Sequence, residues 1–265
     1  MGATRSLLKF FSLTFALAWI SWAASRAISH GSGLVILFGV FAPGIVALVL
    51  TERAEGRAAT RALIARVFKW EVGARWYVFA ILYVPAIKLL VALVHRVVTG
   101  VWPRFSEEPI YLMGASLLVS TWVQAGEEIG WRGYALPRLS ERFGLAQAGV
   151  ILGVIWATWH LPLFFFSAAD TLGQSFPLYV LQVTAISVTM AWLYWRTRGS
   201  LLLVMLFHAA VNNLKDIVPS VMPGASNPFV FNASPVGWLT VAFLWIAAAY
   251  FLFQMRKIAD LSIKE

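Results

Sequence analysis

Apolar residues run through this chain in windows near twenty residues long, separated by short polar connections. Eight windows stand out: 7–28, 34–51, 76–97, 109–136, 145–168, 176–195, 200–214 and 236–255. A helix needs about 20 apolar residues to cross the hydrocarbon core of a bilayer, so the pattern predicts eight transmembrane helices. Basic residues then set the orientation. The connections before the first window and after the second, fourth, sixth and eighth, taken with the window ends that adjoin them, hold 15 Lys and Arg residues, from Arg5 to Lys264, whereas the opposite side holds only Arg26, Arg96, Arg104 and Lys215. Cytoplasmic loops accumulate such residues, so both termini are expected in the cytoplasm.

The connections carry their own signals. In the stretch from Glu52 to Arg75, the residues Leu63, Ile64, Val67 and Phe68 fall on one helical face and Arg61, Arg66 and Lys69 on another, which predicts a helix lying along the membrane surface. The segment from Lys215 to Pro235, rich in Pro, Gly, Ser and Asn, reads as a loop. Neither a soluble domain nor an internal repeat breaks the pattern. The expected organisation is therefore a single all-α integral membrane domain over 1–265, and the missing repeat speaks against an inverted-repeat transporter.

Composition narrows the chemistry. The chain is 60% hydrophobic and only 12% charged, against about a quarter charged in soluble domains. Its net charge of +9 is what basic loops at a membrane produce and implies no nucleic acid. There is no Cys, so disulfides, thiolate metal sites and Cys nucleophiles are excluded. Leu7 to Ile28 is long enough to span, with no convincing cleavage site after it, and reads as the first span. The lack of Cys and of a targeting segment fits a bacterial inner membrane.

Against this apolar background, Gly126-Glu-Glu-Ile-Gly-Trp-Arg-Gly133 places two carboxylates and a guanidinium within six residues of the fourth window. A charge near the bilayer centre costs about 2.5–3.5 kcal/mol on insertion scales, so these groups need partners and a reason. If the helix runs through them and ends at Pro137 and Arg138, Glu127 lies about 15 Å deep; His160 and His208 lie about 22 and 12 Å into their own windows. Glu128 and Arg132 are four apart, suited to an ion pair that leaves Glu127 turned toward a cavity. His208 and Asn212 share the same spacing, and Trp156 sits one turn before His160. Gly126 with Gly130, and Gly149 with Gly153, have the small-xxx-small spacing of close helix packing. Lys88, a lone cation in the third window, reads as a snorkelling or paired lysine with no assigned role, while His30 and His95 sit near span ends.

The three motifs Glu127-Glu128-x-x-x-Arg132, Trp156-x-x-x-His160 and His208-x-x-x-Asn212, in that order on separate spans, resemble the signature of the CPBP family of intramembrane proteases, also called the Abi or CAAX-protease family. The resemblance covers Ala115 to Asn213, with a weaker echo at Trp70 to Tyr77, and has Trp156 where the family often has Phe. It implies an intramembrane endopeptidase acting on a membrane-associated or lipidated protein or peptide. Glu127 and His160 would activate a water, His208 and Asn212 would stabilise the oxyanion, and Glu128, Arg132 and Trp156 would support them. A carboxylate in a low-dielectric pocket is suited to general-base work. No cofactor is required on this reading; in the alternative metalloprotease form, Glu127, His160 and His208 would ligate zinc or another divalent metal. Two rivals stand beside the enzyme: a non-catalytic bacteriocin-immunity or membrane binding protein, and a small transporter or proton relay built on the same midplane groups.

Overall fold

In hydrocarbon, a chain must satisfy its own backbone hydrogen bonds, and apolar windows of this length do so as helices. The computed structural model describes residues 2–28, 33–165, 171, 174–220 and 227–262, and within them the secondary structure is helical throughout. His30 and the end of the fifth window at 166–168 lie outside the described residues. The principal helices are α1 (Gly2–Ala27), α2 (Gly33–Ala65), α3 (Ala74–Thr99), α4 (Ile110–Val123), α5 (Ala125–Glu128), α6 (Leu136–Trp159), α7 (Phe176–Arg196), α8 (Leu201–Leu214) and α9 (Pro235–Ser262). Six described stretches are long and apolar enough to cross a membrane: Arg5–Ala27, Gly33–Phe68, Ala74–Thr99, Ile110–Phe165, Phe176–Arg196 and Pro235–Arg256. The protein is thus an all-α, multi-pass membrane bundle. The fourth and fifth windows fall together in Ile110–Phe165, and α8, with 14 residues, is about 21 Å long.

Two glycines with left-handed φ break the long helices. Gly56 (φ 81, ψ 179) separates the first part of α2 from the basic segment that follows it. That segment continues into a 3-10 turn at Arg66–Phe68, but the expected apolar face is divided: Leu63 and Val67 are buried in the bundle, while Ile64 and Phe68 are exposed. Arg66 donates to the Tyr194 hydroxyl at 2.8 Å, so the segment is pinned to the bundle by its polar face as well.

The second break corrects an expectation. The helix bearing the two glutamates does not end at Pro137 and Arg138 but continues to Gly144 (φ 75, ψ 157). Between α5 and α6 the chain forms a π-helix over Ile129–Ala135, and Pro137 occupies the first turn of the α-helix that follows. A proline is tolerated there because the missing N–H belongs to a turn whose donors are already displaced from the regular ladder. Arg138 then folds over the Tyr134 ring, donates to the Tyr134 carbonyl at 2.9 Å and pairs with Glu55.

Both glycine pairs sit at close helix crossings. A Cβ on Gly130 would lie 2.5 Å from the carbonyl carbon of Pro43 in α2, and one on Gly126 would meet the Phe41 ring at 2.8 Å. Gly153 faces the Cα of Thr184 in α7 at 2.7 Å, and the Ser187 hydroxyl donates to the Gly149 carbonyl at 3.0 Å. Gly130→Ala is therefore expected to lower stability by about 1–3 kcal/mol, because the contact is with backbone that cannot rotate away. Gly114→Ala, where nothing lies within 4 Å, serves as its control. Equal thermal unfolding midpoints for the two variants in detergent would show that the α2 crossing is loose.

Candidate active site

The acidic element, α6, α7 and α8 bring the predicted residues around one cavity. Its volume is about 440 Å³, and its wall includes Glu127, Trp156, His160, His208 and Asn212. Glu127 is 5% exposed and Glu128 and Arg132 are fully buried. The π-helix matters here, since one wide turn at Ile129–Ala135 changes the angle between residues before and after it. π-Segments are frequent at functional sites for this reason.

Glu127 does not stand unsupported in the cavity wall. Its Oε2 accepts the indole N–H of Trp156 at 2.7 Å, across 29 residues, and that of Trp131 at 3.3 Å, one helical turn away. Two donors on one oxygen hold the carboxylate rotamer and leave Oε1 for another partner. Trp131 is wholly buried and packs edge-on against Trp159 and Phe10, so its indole is locked by neighbours. No spacing in the sequence singled out Trp131. The one available hint was its i+4 relation to Glu127, the same spacing that marked Glu128 and Arg132.

Glu128 is the second anchor. Nη1 of Arg132 donates to both its oxygens, at 2.8 and 3.1 Å, as the spacing predicted. Nδ1 of His208, 80 residues away, donates to Oε1 at 2.8 Å. The carboxylate can only accept at these distances, so Nδ1 carries the proton and Nε2 is the other ring position. The guanidinium carbon of Arg132 lies 4.3 Å from the centre of the Trp156 ring, a cation–π distance in a desolvated setting. Trp156 thus meets four residues of the site: it donates to Glu127, lies under Arg132, and meets His208 and His160 edge-on at 5.0 and 5.8 Å.

His160 closes α6. Its Nδ1 lies 2.9 Å from the Trp156 carbonyl, which can only accept, so this ring too carries a proton on Nδ1. Trp159 and Tyr179 flank it edge-on at 4.7 and 5.6 Å. The neighbouring asparagines divide their work. Asn213 is a packing residue that donates at 2.7 Å to both the Ser120 hydroxyl and the Ala209 carbonyl, while Asn212 lines the cavity. Lys88, which carried no expected role, is also in the cavity wall and only 3% exposed.

Among the described residues, no three His, Asp or Glu side chains are grouped to hold a metal ion. Glu127, His160 and His208 line one cavity, and each makes a hydrogen bond to a protein partner.

Trp156→Phe separates the roles of that ring. It keeps the surface under Arg132 and removes the N–H to Glu127, a bond to a charged group contributing about 1.5–3 kcal/mol. The expected result is a loss in kcat of about ten- to hundredfold with KM nearly unchanged, and a smaller loss for Trp131→Phe, whose bond is longer. Steady-state kinetics that rank the two variants the other way would assign Trp156 to packing alone.

The profile of type II CAAX prenyl endopeptidase Rce1-like proteins matches residues 106–214, a stretch that contains all three polar motifs. The protein described as CAAX prenyl protease 2 of Methanococcus maripaludis is 26% identical over 233 residues, which is 79% of this chain and 83% of that protein.

Proposed function

Given that this chain belongs to the CAAX-protease (CPBP) family and is an intramembrane endopeptidase, we propose that it cleaves a prenylated membrane-associated protein, with Glu127 as the general base. The observation that carries this reading is the buried carboxylate of Glu127 in the wall of a 440 Å³ cavity, one oxygen fixed by two indole donors. A base held in one rotamer in a water-poor site meets the geometric requirement for proton abstraction. A prenyl chain would keep the substrate in the bilayer beside the cavity, raising its local concentration.

In the first step a water in the cavity gives a proton to Oε1 of Glu127 as its oxygen attacks the scissile carbonyl carbon. His160, in the same cavity wall, orients that water. Negative charge then develops on the carbonyl oxygen, where Asn212 and the Nε2 position of His208 donate. His208 must be an imidazolium to do this, with Nδ1–H retained on Glu128. Each well-placed donor contributes about 3–4 kcal/mol to the transition state. In the second step the protonated Glu127 returns its proton to the amide nitrogen as the C–N bond breaks, releasing an amine and a carboxylic acid, whose proton then passes to the amine to leave an ammonium and a carboxylate. Glu128 and Arg132 take no proton in this scheme. They hold His208 and the floor of Trp156 in place.

We propose that the reaction runs without a metal, a reading supported by the commitments of Glu127, His160 and His208 to protein partners. The test is cleavage of a quenched-fluorescent farnesylated peptide by the purified protein, with and without a strong chelator. Retained cleavage under chelation is expected. Activity lost to the chelator and recovered with added zinc would overturn the metal-free mechanism, and silence on lipidated and unlipidated peptides alike would favour a non-catalytic binding protein.

A further inference from the structure

The cavity contains a charge that the mechanism above does not use. Lys88, in the middle of α3, is 3% exposed, yet its side chain forms part of the same wall as Glu127. Nζ donates to the Ser220 hydroxyl and, at 3.5 Å, to the Thr240 hydroxyl. Neither partner carries charge. Among the described residues no carboxylate lies within ion-pair distance of Nζ; the acidic group in electrostatic reach is Asp216, whose Oδ2 is 2.8 Å from Lys215. A buried ammonium with only hydroxyl partners is expensive, with an effective desolvation penalty of several kcal/mol. Intramembrane cations of this kind are retained where a counter-charge arrives with a ligand or substrate.

The remaining wall indicates what that ligand is. Besides Lys88 and Glu127, the cavity is lined by the apolar side chains of Val84, Ile87, Val183, Ile186, Val211 and Leu244. Lys215 and Asp216 also line the cavity but pair with each other at 2.8 Å, so among its described cations Lys88 is the one without a carboxylate in ion-pair reach; that charge, beside apolar walls and a hydrolytic carboxylate, suits a short apolar peptide ending in a free carboxylate. We infer that Lys88, with the hydroxyls of Ser220 and Thr240, binds the C-terminal carboxylate of the substrate and so sets the cleaved bond at a short distance from the chain end. The inference rests on the proposed role of Glu127 for its catalytic consequence, but the binding event itself does not depend on it. Lys88 acts on specificity and takes no part in proton transfer.

The experiment uses the full chain in phosphatidylcholine proteoliposomes, which carry no net lipid charge. Two farnesylated reporter peptides differ only at the end, one a free acid and the other a C-terminal amide. Wild type is expected to cleave the acid with a kcat/KM at least about tenfold higher, the gap lying mainly in KM. Lys88→Met, which keeps the stem and removes the charge, should bring the acid-to-amide ratio close to one, and Lys88→Arg should restore part of it. Equal cleavage of acid and amide by wild type, or a ratio that survives in Lys88→Met, overturns the inference and would leave lipid phosphate or structural pairing as the explanation of the lysine.

A second measurement is independent of turnover. The free acid of an apolar tripeptide should raise the thermal unfolding midpoint of the Glu127→Gln protein, its amide should not, and the difference should vanish when Lys88→Met is added. If wild type cleaves neither reporter, or Glu127→Gln cleaves both, the assignment of Glu127 fails; the tripeptide result then decides Lys88 alone, supporting the carboxylate site if acid-specific and overturning it if not.

Discussion

Glu127→Gln is expected to lower kcat for cleavage of a lipidated peptide by about three orders of magnitude, within the 10²–10⁴-fold range that general-base catalysis contributes. The side chain is almost fully buried, and its Oε2 accepts from Trp156 and Trp131. A glutamine keeps an acceptor oxygen for those indoles and fills the same volume, so folded yield and unfolding midpoint should move little. What it loses is the ability to take a proton from water. KM should also stay near the wild-type value, because the group acts on the transition state and not on substrate binding. The measurement is single-turnover and steady-state cleavage by purified protein beside a melting curve of the same preparation. Residual activity above about a tenth of wild type with an unchanged melt would remove Glu127 from the mechanism and return the site to a structural or binding role.

Arg132→Met should produce the opposite signature, a loss of stability out of proportion to any direct role in chemistry. Arg132 and Glu128 are both fully buried, and Nη1 of the arginine serves both oxygens of the glutamate. Removing one partner leaves a buried charge with only Nδ1 of His208 beside it, a change that costs about 3–5 kcal/mol. For a chain of this size, that corresponds to a fall in unfolding midpoint of roughly 10 °C. The cation over Trp156 disappears as well, so the indole that holds Glu127 loses part of its support. Adding Glu128→Gln should recover much of the loss, because the uncompensated charge is then gone, and the double-mutant cycle gives the coupling directly. A midpoint within about 2 °C of wild type for the single variant would mean that Glu128 is neutral or reached by water.

Much of the bundle follows from patterns that act within one helix. Apolar windows of spanning length specify helices because nothing else satisfies the backbone in hydrocarbon. The Glu128–Arg132 pair and the placing of Trp156 one turn before His160 were legible because i,i+4 neighbours share a face whatever surrounds the helix. The glycine spacings likewise marked the tight crossings of α2 and α7. The same local reasoning failed at Pro137, where a π-turn absorbs a proline that ordinarily ends a helix.

By itself, then, the sequence determined that the chain is a bundle of apolar helices, which residues interrupt those helices with charge and which of them pair along one helix, since each depends on a fixed rise and twist per residue. Tertiary packing decided the rest: that two indoles from different turns and helices meet on one oxygen of Glu127, that His208 reaches Glu128 across 80 residues, and that Lys88 opens onto the same cavity instead of snorkelling to the interface. Those contacts depend on how far each helix is rotated about its axis against its neighbours. That rotation is settled by the interlocking of many side chains at once, and no periodicity along a single strand of sequence encodes it.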